Sequence, residues 1–204
     1  MYKFFALLNR MKWINRWGLM KNTYSENLQE HSHQVAILAH ALCVISNEYF
    51  KTKLNPERAA VLATFHDVSE IITGDMPTPI KYANDDLKNN YKNIERAAAN
   101  KIISLLPKEL KKHYDFISDG EGEKEWPYVK AADTLSAYIK CLNEINTGNN
   151  DFADAKKNIG YKLDNLAKTL PALRIFLEEY LPAYTMPVSY THLDVSKRQI
   201  QRIF

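Results

Sequence analysis

At 204 residues, 46% hydrophobic and 25% charged, the chain reads as one soluble globular domain able to bury a core without disulfides. Its formal charge is +3, of which Lys197, Arg198 and Arg202 against Asp194 carry +2, leaving residues 1–186 near +1 and excluding a nucleic-acid-binding surface. The apolar start Phe4–Leu8 is cut short by Asn9, Arg10 and Lys12, so neither a signal peptide nor a membrane span is expected; Cys43 and Cys141, both in apolar helical segments, point to a reducing compartment, the cytoplasm.

The periodicity is helical almost throughout. Phe4, Leu7, Leu8, Met11 and Ile14 predict a first helix; Val35, Leu38, Ala39, Leu42 and Ile45 predict a second that begins near Glu30. Asn55-Pro56-Glu57 supplies a cap, a first-position proline and a first-turn acid, and predicts a helix running to about Thr73, ended by Gly74. The alternating prolines of Gly74-Asp75-Met76-Pro77-Thr78-Pro79 predict a stiff extended loop. A long helix follows from about Asp86 to Leu106, and Pro107 opens a shorter one. Residues 118–127 read as an acidic connector. Val129, Ala132, Leu135, Ala137, Ile139 and Leu142 make a buried helix closed by Thr147-Gly148-Asn149-Asn150, and helices over about 151–169 and 171–181 complete the pattern. No strand alternation and no internal repeat is found, so the fold class is all-α. Residues 187–204 break with this pattern and resemble translated sequencing-adaptor DNA; a non-native or disordered tail without a role is expected there.

His66-Asp67 follows the apolar run Ala59–Phe65, where a histidine and a carboxylate need a partner or a metal. His31 opens the second helix, and Asp133 sits within an apolar one, where an unpaired acid is strongly disfavoured. Two imidazoles and two carboxylates suit a divalent metal of borderline hardness with positions left for water and substrate, which suggests hydrolysis. On a continuous helix His66 and Asp67 diverge by roughly 100°. Glu70, four residues after His66 and three after Asp67, shares their face. His33 and His40 read as ordinary helix histidines, and His113 as solvent-facing.

The order His, His-Asp, Asp on separate helices resembles the HD-domain metal-dependent phosphohydrolases. Ile14-Asn15-Arg16-Trp17, Glu26-Asn27, Glu30-His31-Ser32, His66-Asp67-Val68-Ser69-Glu70, Thr73–Tyr82 and Ala132-Asp133 narrow the resemblance to the bacterial 5′-deoxynucleotidases, over about residues 4–180. The resemblance implies a single HD-domain helical bundle over 1–186. It implies metal ligation by His31, His66, Asp67 and Asp133, a phosphate-orienting Arg16, Trp17 beside the sugar or base, and Glu70 in proton transfer. Asp75, Met76, Pro77 and Thr78 would line the nucleoside pocket, with Met76 in place of the family's usual leucine, a volume-conserving change. His31, Asp67 and Asp133 would also meet the substrate. Family members form homodimers, so a homodimer is expected.

These residues fit that chemistry. An arginine fork binds a phosphate dianion bidentately, and the mixed N/O ligand set favours Mn²⁺ or Co²⁺. The expected reaction removes phosphate from deoxyribonucleoside 5′-monophosphates. Asp75 would accept a hydrogen bond from the 3′-hydroxyl, and Trp17 would fill the space a 2′-hydroxyl needs. One alternative is an HD phosphohydrolase acting on a triphosphate or guanosine polyphosphate; against it, no extra basic cluster stands out near these motifs. Another is a non-catalytic nucleotide-sensing module, against which stand Arg16, Glu70 and all four candidate ligands.

Overall fold

Side-chain caps fix where the long helices begin. In the computed structural model, which describes residues 1–81 and 84–186, the Asn27 side chain accepts from the Gln29 and Glu30 amides while Glu30 reaches back to the Asn27 amide, a reciprocal capping box. Helix α2 (Leu28–Phe50) therefore starts two residues earlier than apolar periodicity alone suggests. Chain order begins with a short α1 (Phe4–Leu8). After α2 comes α3 (Pro56–Phe65), capped by Asn55, whose side chain accepts from the Arg58 amide at 2.9 Å.

The predicted first helix is shorter than its periodicity. It tightens into a 3₁₀ turn over Asn9–Trp13, and Ile14 is extended. The reason is a competing pairing: the Leu28 amide donates to the Ile14 carbonyl at 3.0 Å, and the Arg16 amide to the Glu26 carbonyl at 2.9 Å. This bridge between Asn15 and Asn27 is the one extended pairing among the described residues.

The remaining helices are α4 (Glu70–Thr73), α5 (Thr78–Lys81), α6 (Asp85–Ser104), α7 (Lys108–Lys111), α8 (Phe116–Asp119), α9 (Trp126–Asn146), α10 (Ala153–Ala167) and α11 (Pro171–Ile175). Two expectations need correction. The proline loop is not extended throughout, because Pro77 and Pro79 both tolerate a first helical turn and α5 forms there. The acidic connector is partly helical through α8 and a turn at Gly120–Gly122. Residues 187–204, expected to be a tail, lie outside the described residues.

Two apolar clusters fill the interior. The larger joins α2, α3, α9, α10 and α11 around Leu38, Leu42, Leu62, Leu135 and Leu173. The smaller joins Phe4, Met11, Leu28, Val68, Ile102 and Leu106. On α2, His31 lies between Leu28 of the smaller cluster and Val35 of the larger; His66-Asp67 lies between Ala63 of the larger and Val68 of the smaller. The candidate site thus sits on the seam between two cores.

The segment 14–27 is stitched to the far end of α9. Glu144, 1% exposed, accepts from the Thr23 amide at 2.8 Å and from Asn149 Nδ2 at 2.7 Å. Lys140 Nζ pairs with Glu144 and donates to the Tyr24 carbonyl, and Asn149 Nδ2 also reaches the Lys21 carbonyl at 2.7 Å. Burial opposes the Glu144 charge, but Lys140, Asn149 and the Thr23 amide outweigh it and bring its pKa from 4.5 to about 2. The folded state therefore gains stability from this carboxylate above its unfolded pKa and loses it as pH falls toward 2. We predict that Glu144→Gln costs about 2–3 kcal/mol at pH 7. The gap from the parent protein should shrink between pH 5 and pH 3 in urea unfolding. A gap constant with pH would show that the carboxylate charge contributes nothing.

Candidate active site

The sequence predicts one helix through His66 and Asp67, and the structure breaks it there. The Ala63 carbonyl receives the His66 ring, whose Nδ1 donates at 2.6 Å, and the His66 amide approaches it at only 3.5 Å. The chain then tightens into i→i+3 turns, Val68 to Phe65, Glu70 to Asp67 and Ile71 to Val68, before α4. A side chain competing for a backbone carbonyl ends the regular ladder. The break brings the neighbours together instead of splaying them: His66 Nε2 stands 3.0 Å from Asp67 Oδ2.

His31 approaches from α2. Its Nδ1 meets Ser136 Oγ at 3.2 Å, and that hydroxyl donates onward to Gln34 Oε1 at 2.6 Å. The ring is thereby fixed with Nε2 inward, 3.2 Å from Asp133 Oδ1 and 3.6 Å from Asp67 Oδ2. Ligand atoms of His31, His66 and Asp133 lie within 4.8 Å of one another, a spacing that fits a single ion. Both Nε2 atoms are buried, and neither has a hydrogen-bond partner of good geometry. Orphaned polar atoms of this kind are costly in a folded core, and a cation held by His31, His66 and Asp133 would satisfy both; Asp67 stands beside this group and not within it. The donor set of two neutral nitrogens and two carboxylates matches a borderline divalent metal.

The charges respond to one another. Burial opposes the Asp67 charge, yet His66, 3.0 Å away, holds the carboxyl far below its usual range. Burial likewise opposes Asp133, and Lys130, at 2.9 Å, with His31 and His66 keeps it well below that range. Arg16 loses solvation on burial, but Asp67, Asp133, Glu26 and Asp75 hold its guanidinium charged. Its Nη1 lies 3.4 Å from Asp67 and 3.8 Å from Asp75. Glu70 behaves oppositely: burial, then Asp67 and Asp75, push its pKa well above 4.5, and its Oε2 has no partner. A carboxyl shifted in this direction holds its proton to higher pH than an exposed glutamate.

Glu26, which sequence reasoning left without a role, organises one flank. Its Oε2 accepts from Arg16 Nε at 3.2 Å and from Trp17 Nε1 at 2.9 Å. Trp17 lies in the turn after the first helical segment, with φ at 60°, a strained region for a bulky side chain. Its ring packs on Phe152 with centroids 5.2 Å apart. Ser136 and Gln34 carry no sequence motif of their own, and the Glu26-Asn27 motif gives no role for Glu26; only the fold brings them to His31 and Arg16.

The structure therefore gathers Arg16, Trp17, His31, His66, Asp67, Glu70, Asp75 and Asp133. Thr78 lines a cavity that also reaches His66 and Asp67, and Met76 and Pro77 stand half-buried between Asp75 and Thr78. The expectation that no basic cluster adjoins the motifs is overturned, since that cavity is lined by Lys81, Lys88, Lys92, Arg96, Lys130 and Lys162. Their scatter over α5, α6, α9 and α10 hides the cluster from a linear reading.

Comparison with known proteins matches residues 3–184 to the family model described as 5′-deoxynucleotidase YfbR-like. The chain belongs to this family. A 5′-deoxynucleotidase of Yersinia pestis (strain Pestoides F) is 45% identical over 196 residues, 95% of this chain and 98% of that protein. One from Yersinia pseudotuberculosis serotype O:3 (strain YPIII) matches to the same extent. Among solved structures, an HD-domain phosphohydrolase from Listeria innocua superposes with a TM-score of 0.78 at 22% identity, covering 89% of this chain and 88% of that one. The cyanophage S-2L HD phosphohydrolase, bound to dA and one catalytic Zn²⁺, gives 0.60 at 19% identity, covering 88% and 95%. These likenesses establish the HD-domain helical fold for a family member whose described residues contain no strand.

Two hydrogen bonds converge on Glu26 Oε2, from Arg16 and from Trp17. Glu26→Ala removes the acceptor that holds Arg16 and Trp17, so the strained turn should relax. Hydrogen-exchange protection of the Arg16 amide should fall about tenfold or more, equivalent to about 1.4 kcal/mol. Unchanged protection would mean that the backbone bridge alone holds the turn.

Proposed function

We propose that this chain is a divalent-metal-dependent 5′-deoxynucleotidase, releasing inorganic phosphate from deoxyribonucleoside 5′-monophosphates. The observation that carries the reading is the pair of buried, unpartnered imidazole nitrogens facing Asp67 and Asp133, with a charged Arg16 held beside them. In this reading His31, His66, Asp67 and Asp133 hold the ion, with Mn²⁺ or Co²⁺ favoured. Such an ion neutralises phosphoryl charge and brings the pKa of a water from ~15.7 toward neutrality.

The chain's own residues supply the rest. Arg16 has its Nε engaged by Glu26, and this orients its remaining N–H groups toward a phosphate dianion. Water attacks phosphorus as the P–O5′ bond breaks, and Glu70, protonated by its surroundings, donates its proton to the departing O5′. Asp75 accepts from the sugar 3′-hydroxyl, and Trp17 occupies the space a 2′-hydroxyl would need. Met76, Pro77 and Thr78 continue that wall. A phosphate at the 3′ position would meet the Asp75 charge.

The buried thiols of Cys43 and Cys141 are free, each pushed up to about 12, chiefly by burial, which suits a reducing cytoplasm. No helix among the described residues is long and apolar enough to cross a membrane. We further propose a homodimer, and light scattering that returned the monomer mass of 23.6 kDa would refute it.

Phosphate release from deoxyadenylate with added Mn²⁺ tests the activity. Turnover should vanish on chelation, and Asp133→Ala should lose both turnover and bound metal. Full metal content in that variant would sink the ligand assignment. Tight nucleotide binding without turnover in the parent protein would favour a sensor.

Glu70→Gln should lower kcat about 10²- to 10⁴-fold while leaving metal content intact. The deoxy preference should be roughly tenfold to hundredfold, the equivalent of about 1–3 kcal/mol for an unaccommodated hydroxyl. Trp17→Ala should relax this preference, and Asp75→Ala should weaken all 5′-monophosphates alike. Equal kcat/KM for ribo- and deoxyribonucleotides in the parent protein would defeat the steric role of Trp17.

A further inference from the structure

The cavity beside the His–Asp centre holds about 700 Å³, within the range of small-molecule sites. It shares His66, Asp67 and Thr78 with the residues assigned to the centre and its nucleoside wall, but not Arg16, Trp17 or Asp75. Helix α6 supplies Lys88, Lys92, Glu95, Arg96 and Ala99 to its lining, whereas Arg16, Trp17 and Asp75 do not line it. Its lining carries six cationic side chains against Asp67, Glu95 and Glu121. Glu95 pairs with Lys81 at 2.7 Å, and Glu121 with Lys92 at 2.8 Å in an exposed contact. Lys88, Lys92 and Arg96 follow one another at intervals of four on α6, a row of cations about 6 Å apart along one helix face. Arg96 and Lys162 make no ion pair among the described residues.

We infer that this cavity is a subsite for a linear phosphate chain, either the β- and γ-phosphates of a nucleoside 5′-triphosphate or free tripolyphosphate. Its first phosphate sits at the His–Asp centre. The inference rests on the reading that the centre receives a 5′-phosphate and Asp75 the 3′-hydroxyl. With the sugar on the Asp75 side, an oligonucleotide would continue from the 3′-oxygen, away from the basic flank. Only groups attached to the 5′-phosphate itself extend into it, and the row of cations selects anions among these. A monophosphate already has Arg16 and does not use this surface. Ligands bearing the chain therefore compete with the monophosphate for the centre.

Titration calorimetry tests this on the protein as purified, with free divalent ion held constant to remove chelation by the ligands. Deoxyadenylate, deoxyadenosine triphosphate and inorganic tripolyphosphate are compared on the parent protein and on the double variant Lys92→Ala/Arg96→Ala. Both residues are solvent-exposed, and melting temperatures check the fold. The double variant should weaken the chain-bearing ligands about tenfold, leave deoxyadenylate within about twofold, and flatten the salt dependence of chain binding. Loss confined to the triphosphate assigns the subsite to nucleotides; loss of both assigns it to the chain itself. The inference is overturned if neither chain-bearing ligand binds the parent protein, if the double variant leaves their affinity unchanged, or if deoxyadenylate weakens equally. Phosphate release from deoxyadenylate, measured in parallel, separates failure of the nucleotidase reading from failure of the subsite.

Discussion

The arrangement depends on one hydrogen bond, from His66 Nδ1 to the Ala63 carbonyl. It takes a carbonyl that a continuous helix would give to the backbone of residue 67, so α3 stops and the chain turns tightly. The same bond fixes the ring with its other nitrogen inward, which sets where any positive charge must lie. Because the chain turns there, Val68 enters the smaller core and Glu70 begins a new helix beside the centre. Gly74, at φ 75°, then ends α4 with a conformation few other residues adopt and delivers Asp75 to Arg16.

Around this bond the electrostatics divide by role. Asp67 and Asp133 are held below the usual carboxylate range by the neighbouring histidines and Lys130, whereas burial, with Asp67 and Asp75, pushes Glu70 above it. Carboxyl groups a few residues apart are thus shifted in opposite directions, the pattern expected where one group donates a proton and others hold a cation. The outer parts serve as scaffolding. Ser136 with Gln34 orients His31, Glu26 orients Arg16, and Lys140, Glu144 and Asn149 anchor the loop that carries Arg16 and Trp17.

Much of this was legible in the sequence, for physical reasons that can be named. The caps Asn55 and Gly74 and the apolar periodicities act locally, so they place helices without tertiary information. His31, His66, Asp67 and Asp133 stand out because a charged or imidazole group amid apolar residues demands a partner. The break at His66 was not legible, because it depends on a side chain turning back on its own helix. The end of the first helix was hidden by a pairing with residues 26–28, more than ten positions away. Trp17 at φ 60° is held by Glu26 against its own backbone preference, and no local signal announces that. The basic cavity is assembled from four helices whose lysines each look like ordinary solvated charge.

The seam between the two apolar clusters has a consequence for how this molecule unfolds. Residues of the centre come from α2, from the α3–α4 turn and from α9, so whatever balances their charge also rivets one core to the other. With that charge balanced, the clusters would share a boundary that neither can abandon alone, which favours a single cooperative transition. With it unbalanced, repulsion between Asp67 and Asp133 acts at the boundary itself. The smaller cluster, with α1 and α6, would then be the part to loosen first, since it buries fewer residues than the larger.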